Sequence, residues 1–167
     1  MIVRPERAAD YAAITAVVDA AFGDLDTSRL VADLRASPGS IADLALVAED
    51  DDGDVVGHVM FTVTSLESGD AILMLSPLAV RPDRQRAGVG TALVGAGLEG
   101  ARRRSEPLVI VEGDPRYYGR FGFVEASSLG LERPYESIPP HAFQALALRR
   151  DHPRGRVTYP PPFDRFY

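Results

Sequence analysis

Apolar residues recur at helical spacing near the start of the chain. Residues 10–22 carry the stripe of an amphipathic helix, and Gly23 is expected to cap its end. The apolar positions of this stripe are Ile14, Val17, Val18, Ala21 and Phe22. A short strand over residues 2–4 precedes this helix, and a second helix is predicted over residues 28–36.

The period changes to that of strands further along the chain. Residues 44–49 and 55–63 are predicted to form a hairpin around a turn at residues 51–54. One face of its second strand carries Val59, Phe61 and Val63, and the other carries His58, Met60 and Thr62. Residues 71–80 are nearly all apolar, which indicates a central strand covered on both faces. Because Pro77 cannot donate to a ladder, we expect a bulge or an interruption of pairing there.

The second half of the chain continues this mixture of helices and strands. Its predicted elements are a helix over 89–104, a strand over 108–112, a short helix over 117–120, a strand over 123–126, a loop over 130–140, a strand over 143–148 and a strand over 156–159. No linker or repeat divides the chain, so we predict a single domain over residues 1–167. The pattern favours an α+β fold with a mixed sheet flanked by helices.

Composition excludes several classes of protein. Apolar residues make up 46% of the chain and charged residues 25%, which is typical of a globular domain. No apolar run approaches the roughly 18–20 residues that cross a bilayer, so no membrane partner is expected. Residues 1–7 lack the apolar core of a signal peptide, and a cytoplasmic location is therefore the expectation.

Charge and the absent residue types narrow the chemistry further. The chain has no cysteine, which excludes disulfides, thiolate metal sites and a cysteine nucleophile. The three histidines are scattered, so we expect no metal. A formal charge of −6 argues against a nucleic-acid partner and is compatible with a cationic substrate such as an amine.

Residues 85–91 are the strongest candidate for a ligand-binding loop, and we call them the glycine loop. They lie between the most apolar strand and a helix. Gly88 and Gly90 leave room for a ligand and allow positive φ, so several backbone N–H groups can point at one anion. The first turn of the following helix adds free N–H groups and the positive end of its dipole, which suits a pyrophosphate. Arg84 and Arg86 lie at its rim. A glycine turn without a ligand remains the alternative interpretation of this short pattern.

Two other phosphate loops do not fit the sequence. The chain contains no lysine, whereas a P-loop requires a Gly-Lys pair. A dinucleotide-binding fingerprint requires its third glycine at position 93, where this chain has a leucine, and the next glycine is Gly95. The anion would therefore be held in a different kind of loop.

Two segments together resemble a known family. Gln85-Arg86-Ala87-Gly88-Val89-Gly90 resembles the acyl-CoA loop of the GCN5-related N-acetyltransferase (GNAT) family, (Gln/Arg)-x-x-Gly-x-(Gly/Ala). Residues 113–123, with Gly-Asp-Pro, a double tyrosine and Phe-Gly-Phe, resemble that family's second CoA segment, in particular in the YhbS-like branch of predicted acetyltransferases. The resemblance covers nearly the whole chain. It implies the GNAT fold, with a mixed, mostly antiparallel sheet flanked by helices.

The resemblance also implies an activity and a donor site. The activity would be transfer of an acetyl group from acetyl-CoA to a primary amine by direct attack, with a CoA-binding core at about residues 71–127. Leu78 and Val80 would pair with the pantetheine through main-chain atoms, while their side chains serve as ordinary core. The cofactor-binding positions are Leu78, Ala79, Val80, Gln85, Arg86, Ala87, Gly88, Val89, Gly90, Thr91, Tyr117 and Tyr118.

The same resemblance supplies candidates for proton transfer. Tyr118 matches the family's tyrosine acid, which would protonate the leaving thiolate, while Tyr117 is expected to pack inward; a shift of one residue would exchange them. Glu112 is the candidate base, and a solvent-facing carboxylate at a strand end is its alternative interpretation. Glu49 and His58 are weaker candidates that are more typical of surface or structural positions. Ordered water is a further alternative to a dedicated base.

Some questions stay open at this level. The acceptor is expected to be a small-molecule or peptide amine, and residues 128–167 are expected to serve the acceptor side or a homodimer contact. A non-catalytic acyl-CoA sensor and transfer of a longer acyl group are the alternative functions. Asp114 is predicted to be a helix N-cap, and glycines at positions 95, 97 and 100 predict close approach of their helix to the sheet or to a ligand.

Overall fold

A computed structural model describes residues 1–167, and it contains nine strands and four α-helices. The strands are β1 (Ile2–Pro5), β2 (Ser40–Glu49), β3 (Val55–Leu66), β4 (Ala71–Val80), β5 (Leu108–Glu112), β6 (Val124–Glu125), β7 (Leu131–Glu132), β8 (Phe143–Ala147) and β9 (Gly155–Thr158). The helices are α1 (Tyr11–Phe22), α2 (Asp26–Arg35), α3 (Val89–Arg102) and α4 (Pro115–Tyr118). No helix is both long and apolar enough to cross a membrane.

The helix boundaries follow from local capping. Gly23 ends α1 in the left-handed conformation, with φ of 71°, as predicted. Helix α2 begins earlier than predicted, because the Asp24 carboxylate accepts a hydrogen bond from the N–H of Thr27 at 3.0 Å. The short helix α4 also begins earlier than predicted. Asp114 caps it as expected, since its side chain accepts a hydrogen bond from the N–H of Arg116 at 2.9 Å.

The strands form one mixed sheet in the order β1-β2-β3-β4-β5-β8-β6, and β9 pairs with β3 and β7. All pairs in the main order are antiparallel except β4 with β5. This confirms the predicted α+β architecture with a mixed, mostly antiparallel sheet. Strand β3 runs on to Leu66, beyond its predicted end, because its ladder with β4 continues to Ser65. Ser65 and Leu66 also pair with β9, which is distant in sequence. The prediction of a loop over 130–140 was wrong at residues 131–132, because these form β7 and pair in parallel with β9.

Both faces of the sheet are covered by helices. Helix α3 packs on one face, over an apolar cluster that includes Val59 and Phe61. Helices α1 and α2 cover the other face, where Met60 belongs to a second cluster. The alternation predicted for β3 is therefore confirmed, with successive side chains entering opposite cores.

Strands β4 and β5 separate part-way along their length. Their parallel pairing is confined to Leu73 with Val109 and Met74 with Ile110. Strand β4 nevertheless stays paired with β3 to its end, with an irregularity at Ser76–Pro77, where the expected interruption is confirmed. Two residues of β4 there lie opposite one of β3, which is the arrangement of a β-bulge. A gap consequently opens between β4 and β5 beyond Met74.

Helix α3 approaches the sheet closely at two of its glycines. A Cβ on Gly97 would overlap the ring of Phe61, and one on Gly100 would lie 2.6 Å from Leu44 Cδ2. A Cβ on Gly95 would meet open space. The predicted close approach is thus to the sheet, and it is confirmed for Gly97 and Gly100.

Replacing Gly97 with alanine is expected to lower the free energy of unfolding by about 1–3 kcal/mol, because the methyl group must displace the buried Phe61 ring. Gly95→Ala, on the exposed side of the same helix, is the matched control. It should raise the free energy of unfolding by about 0.5–1 kcal/mol, since alanine is the better helix former. Urea unfolding measures both. Equal stability of Gly97→Ala and the unaltered protein would contradict the close approach.

Candidate active site

The gap between β4 and β5 opens into a cavity of about 1380 Å³. One end of the cavity is lined by the glycine loop and the middle by β4, the end of β5 and α4. The other end is lined by residues of α1, α2 and the C-terminal segment. Elements from both halves of the chain therefore meet at a single cleft.

The glycine loop leads directly into the first turn of α3. Arg86 and Gly88 both adopt the left-handed conformation, with φ of 61° and 86°, and α3 begins at Val89 as predicted. The side-chain amide of Gln85 donates a hydrogen bond to the carbonyl of Val80 at 3.1 Å, which ties the loop to the end of β4. The free N–H groups and positive dipole end of α3 consequently lie at the cavity, in the geometry of an anion site.

The structure divides the predicted cofactor-binding residues into two groups. Those that line the cavity are Leu78, Val80, Gln85, Arg86, Gly88, Gly90, Thr91, Tyr117 and Tyr118. The other three are Ala79, Ala87 and Val89, of which Ala79 and Val89 are buried in the apolar clusters and Ala87 is exposed. The buried side chains of Ala79 and Val89 are therefore not available to a ligand.

The two tyrosines of α4 occupy different places beside the cavity. The prediction that Tyr117 packs inward was wrong, because Tyr118 is the more buried ring, with 9% of its surface exposed. Tyr118 packs edge-on against Phe123 and lies close to Gly113, where a Cβ would be 2.5 Å from its ring. Tyr117 lies over the start of α3, and its hydroxyl would be 2.5 Å from a Cβ on Gly90.

The surroundings of the two phenols differ in the same way. Burial, and then the neighbouring Tyr117, raise the pKa of Tyr118 above its ordinary value, and its hydroxyl has no hydrogen-bond partner in the protein. Burial also raises the pKa of Tyr117, but the charge of Arg120, whose guanidinium lies 4.4 Å from the centre of the Tyr117 ring, opposes that rise. Tyr118 is therefore a protonated phenol at neutral pH whose hydrogen remains available to a ligand.

Glu112 lies at the end of β5, on the cavity, where the C-terminal segment folds back over it. Its Oε2 accepts hydrogen bonds from the hydroxyls of Tyr159 at 3.1 Å and Tyr167 at 2.5 Å. Tyr167 stacks on Tyr135 with 4.4 Å between ring centroids, and Arg165 pairs with Asp33 of α2. Glu112 is exposed to solvent, as its alternative interpretation requires, but two phenols fix the position of its carboxylate.

Sequence reasoning did not identify Tyr159 and Tyr167 as site residues. Burial, followed by contact with the Glu112 carboxylate, raises the pKa of both phenols, so they remain proton donors to it. The signal in the sequence was the concentration of aromatic residues in the tail, which gave no indication of their partner.

The two weaker base candidates lie away from the cavity. His58 is fully buried, and its Nε2 lies 2.8 Å from Glu6 Oε2, while Arg35 donates to the same carboxylate at 2.6 Å. Burial by itself raises the pKa of Glu6, but the hydrogen bonds from His58 and Arg35 outweigh it and hold that pKa at about 2. Glu49 binds Arg4 at 2.9 Å. Both candidates therefore belong to ion-pair clusters that join β1, β2, β3 and α2.

Comparison with known proteins identifies the family to which this cleft belongs. Residues 42–125 match the family model described as an acetyltransferase (GNAT) domain. The chain is 32% identical over 170 residues to the uncharacterised N-acetyltransferase YhbS of Escherichia coli (strain K12), which covers 99% of this chain and 100% of the relative. The chain belongs to the GNAT acetyltransferase family. Members of this family are enzymes, and the fold expected from the resemblance is confirmed.

Two solved GNAT structures are similar over nearly the whole chain. E. coli YhbS in complex with CoA superposes with a TM-score of 0.91 at 30% identity, covering 99% of this chain and 93% of the other. A GNAT acetyltransferase from Brucella melitensis in complex with acetyl-CoA gives a TM-score of 0.81 at 32% identity, covering 98% and 97%. One of these relatives therefore binds CoA and the other acetyl-CoA, the ligands that the resemblance of the glycine loop implies.

The buried Glu6 cluster makes stability depend on acid pH. The folded-state pKa of about 2 lies below the ordinary value of 4.5, so the carboxylate contributes stability above pH 4.5. That contribution, roughly 3 kcal/mol, should be lost as the pH falls from about 4.5 toward 2. Urea unfolding between pH 7 and pH 2.5 measures the loss.

Glu6→Gln should weaken the dependence of the free energy of unfolding on pH below about 4.5. Glu67→Gln, on the exposed surface, should leave that dependence unchanged. If the free energy of unfolding falls equally with pH in Glu6→Gln and in the unaltered protein, the Glu6 cluster is not the cause of the acid sensitivity.

Proposed function

We propose that this GNAT enzyme transfers the acetyl group of acetyl-CoA to a primary amine by direct attack. The observation that carries the proposal is the continuous cleft itself. It joins an anion site at the start of α3 to a gap between β4 and β5 that is flanked by Tyr118 and Glu112. The relatives solved with CoA and acetyl-CoA support acetyl-CoA as the donor.

The donor would be held mainly by main-chain groups. The pyrophosphate is assigned to the glycine loop, where N–H groups converge at the start of α3. Beyond Met74, the edge of β4 that faces the cavity has no strand partner. The pantetheine amides can pair there with Leu78 and Val80, as an added strand would. This arrangement directs the thioester into the gap between β4 and β5.

Tyr118 is the proposed donor of a hydrogen bond to the leaving sulfur. As the amine attacks, the new C–N bond forms, the C–S bond breaks and negative charge develops on sulfur. The Tyr118 phenol is protonated at neutral pH and has no competing partner in the protein. Because a thiol is more acidic than this buried phenol, the hydrogen bond stabilises the developing thiolate without requiring complete proton transfer.

Glu112 is the proposed acceptor of the amine's proton. The amine must lose a proton to attack, and a carboxylate can take it directly or through a water molecule. Tyr159 and Tyr167 both donate to Oε2, which orients the carboxylate and leaves Oε1 free of those contacts. Without a cysteine in the chain, a thioester intermediate on the protein is excluded, which agrees with direct attack.

Tyr118→Phe is expected to lower kcat by about 10²-fold or more with little change in the Kd for acetyl-CoA, because the lost hydroxyl acts on the leaving sulfur. Release of CoA thiol from acetyl-CoA and an amine panel measures turnover. Tyr117→Phe should chiefly raise the KM for acetyl-CoA, since its hydroxyl lies at the glycine loop. Tyr11→Phe, on the exposed face of α1, should change neither quantity. Unchanged turnover in Tyr118→Phe would eliminate the assignment.

Glu112→Gln is expected to lower kcat/KM for the amine at pH 7 by about 10²-fold, the usual contribution of a general base. The difference in kcat/KM between the variant and the unaltered enzyme should shrink as the pH approaches the pKa of the acceptor amine. More of the amine is then already the free base and needs no deprotonation. Glu99→Gln on the surface of α3 is the control. A pH-independent deficit would point to a role in binding alone, with water as the base.

A further inference from the structure

Exposed aromatic side chains collect at one mouth of the cavity. Phe22 at the end of α1 is 46% exposed, and Phe166 and Tyr167 in the C-terminal segment are 41% and 43% exposed. All three line the cavity at the end away from the glycine loop. Exposed apolar groups gathered from distant parts of a chain around one opening mark a binding surface.

The C-terminal side of this aromatic mouth is held in place by contacts with the rest of the protein. Arg165 pairs with Asp33 of α2, which ties the C-terminal segment to the helix that follows Phe22. Tyr167 is held between the Glu112 carboxylate and the stacked ring of Tyr135. The Tyr167 ring is therefore fixed in place, and it presents apolar surface to a ligand at low entropic cost.

The lining of the cavity contains two carboxylates, Glu112 and Asp114. Among the lining residues, Asp114 is paired with Arg116 at 3.1 Å, which leaves Glu112 as the acidic group without a cationic partner. The nearby Asp33 is paired with Arg165. A polyamine or an aminoglycoside carries several ammonium groups, and inside the cavity only one of them would meet an unpaired carboxylate. One ammonium group on an apolar body fits both the charge and the rings.

We propose that the acceptor is a primary monoamine carried on an aromatic body. Its ring lies among Phe22, Phe166 and Tyr167, and its nitrogen lies at Glu112, facing the thioester. Aromatic rings pack on one another in offset or edge-on geometry, which favours a flat aryl group over a chain of polar residues. The inference rests on the proposed amine acetyltransferase function and specifies its substrate class.

The test compares acceptors in the thiol-release assay at saturating acetyl-CoA. The panel contains 2-phenylethylamine, spermidine and a short peptide with one lysine. The expected result is a kcat/KM for 2-phenylethylamine at least about tenfold above that for the other two, the order expected from burying one aromatic ring. A preference for spermidine or for the peptide would overturn the substrate class while leaving the acetyltransferase function intact.

Variants locate the effect at the aromatic mouth. Phe166→Ala, and independently Phe22→Ala, should lower kcat/KM for 2-phenylethylamine about tenfold, mainly through KM, without changing the KM for acetyl-CoA. Val124→Ala is the matched control, since Val124 is 44% exposed on β6 and lies outside the cavity. Equal kcat/KM in both phenylalanine variants and the control would overturn the proposed placement of the ring.

A binding measurement separates failure of the inference from failure of the proposed function. N-(2-phenylethyl)acetamide, the expected product, is titrated calorimetrically into the CoA-loaded protein and into its Phe166→Ala variant. Binding that the variant weakens about tenfold supports the aromatic site, even if no amine releases thiol and the proposed activity fails. Absence of product binding, or equal affinity in the variant, overturns the inference whatever the turnover.

Discussion

The separation of β4 from β5 is the structural constraint on which the candidate active site depends. These parallel strands share only two residue pairs before they separate, while β4 keeps its ladder with β3 up to Val80. The bulge at Ser76–Pro77 lets β4 follow β3 and leave β5. Without the gap, β4 would have no free edge for a ligand, the glycine loop would end in solvent, and the residues after β5 would have no cleft to face.

Local sequence determines the end of the cleft at the glycine loop, and this part was predictable. The strand before the loop, the left-handed Gly88 and the start of α3 all follow from residues close together in the chain. The Asp114 cap of α4 is equally local. The glycines of α3 predicted close packing but not the residues that they pack against. The partner of Gly97 is Phe61, which lies on another element. Short-range chemistry thus predicts the elements and the anion loop.

Long-range packing determines the opposite end, and sequence reasoning failed there. The two phenols that hold Glu112 lie 47 and 55 residues further along the chain. No local sequence pattern predicts that they would contact Glu112. The inward packing assigned to Tyr117 was wrong for the same reason, since Gly113 and Phe123 make room for Tyr118 instead. The pairing of β7 with β9 likewise exists only after the chain has folded back. Contacts of this kind depend on the tertiary fold and not on neighbouring residues.

The distribution of tyrosines gives the protein a built-in optical reporter. The chain has no tryptophan and six tyrosines, so its ultraviolet emission comes from phenols without energy transfer to indole. Tyr117 and Tyr118 line the cavity, as does Tyr167, against which Tyr135 and Tyr159 pack; Tyr11 alone lies elsewhere. Intrinsic emission therefore reports chiefly on one cleft, and ligand occupancy can be followed without attaching a label.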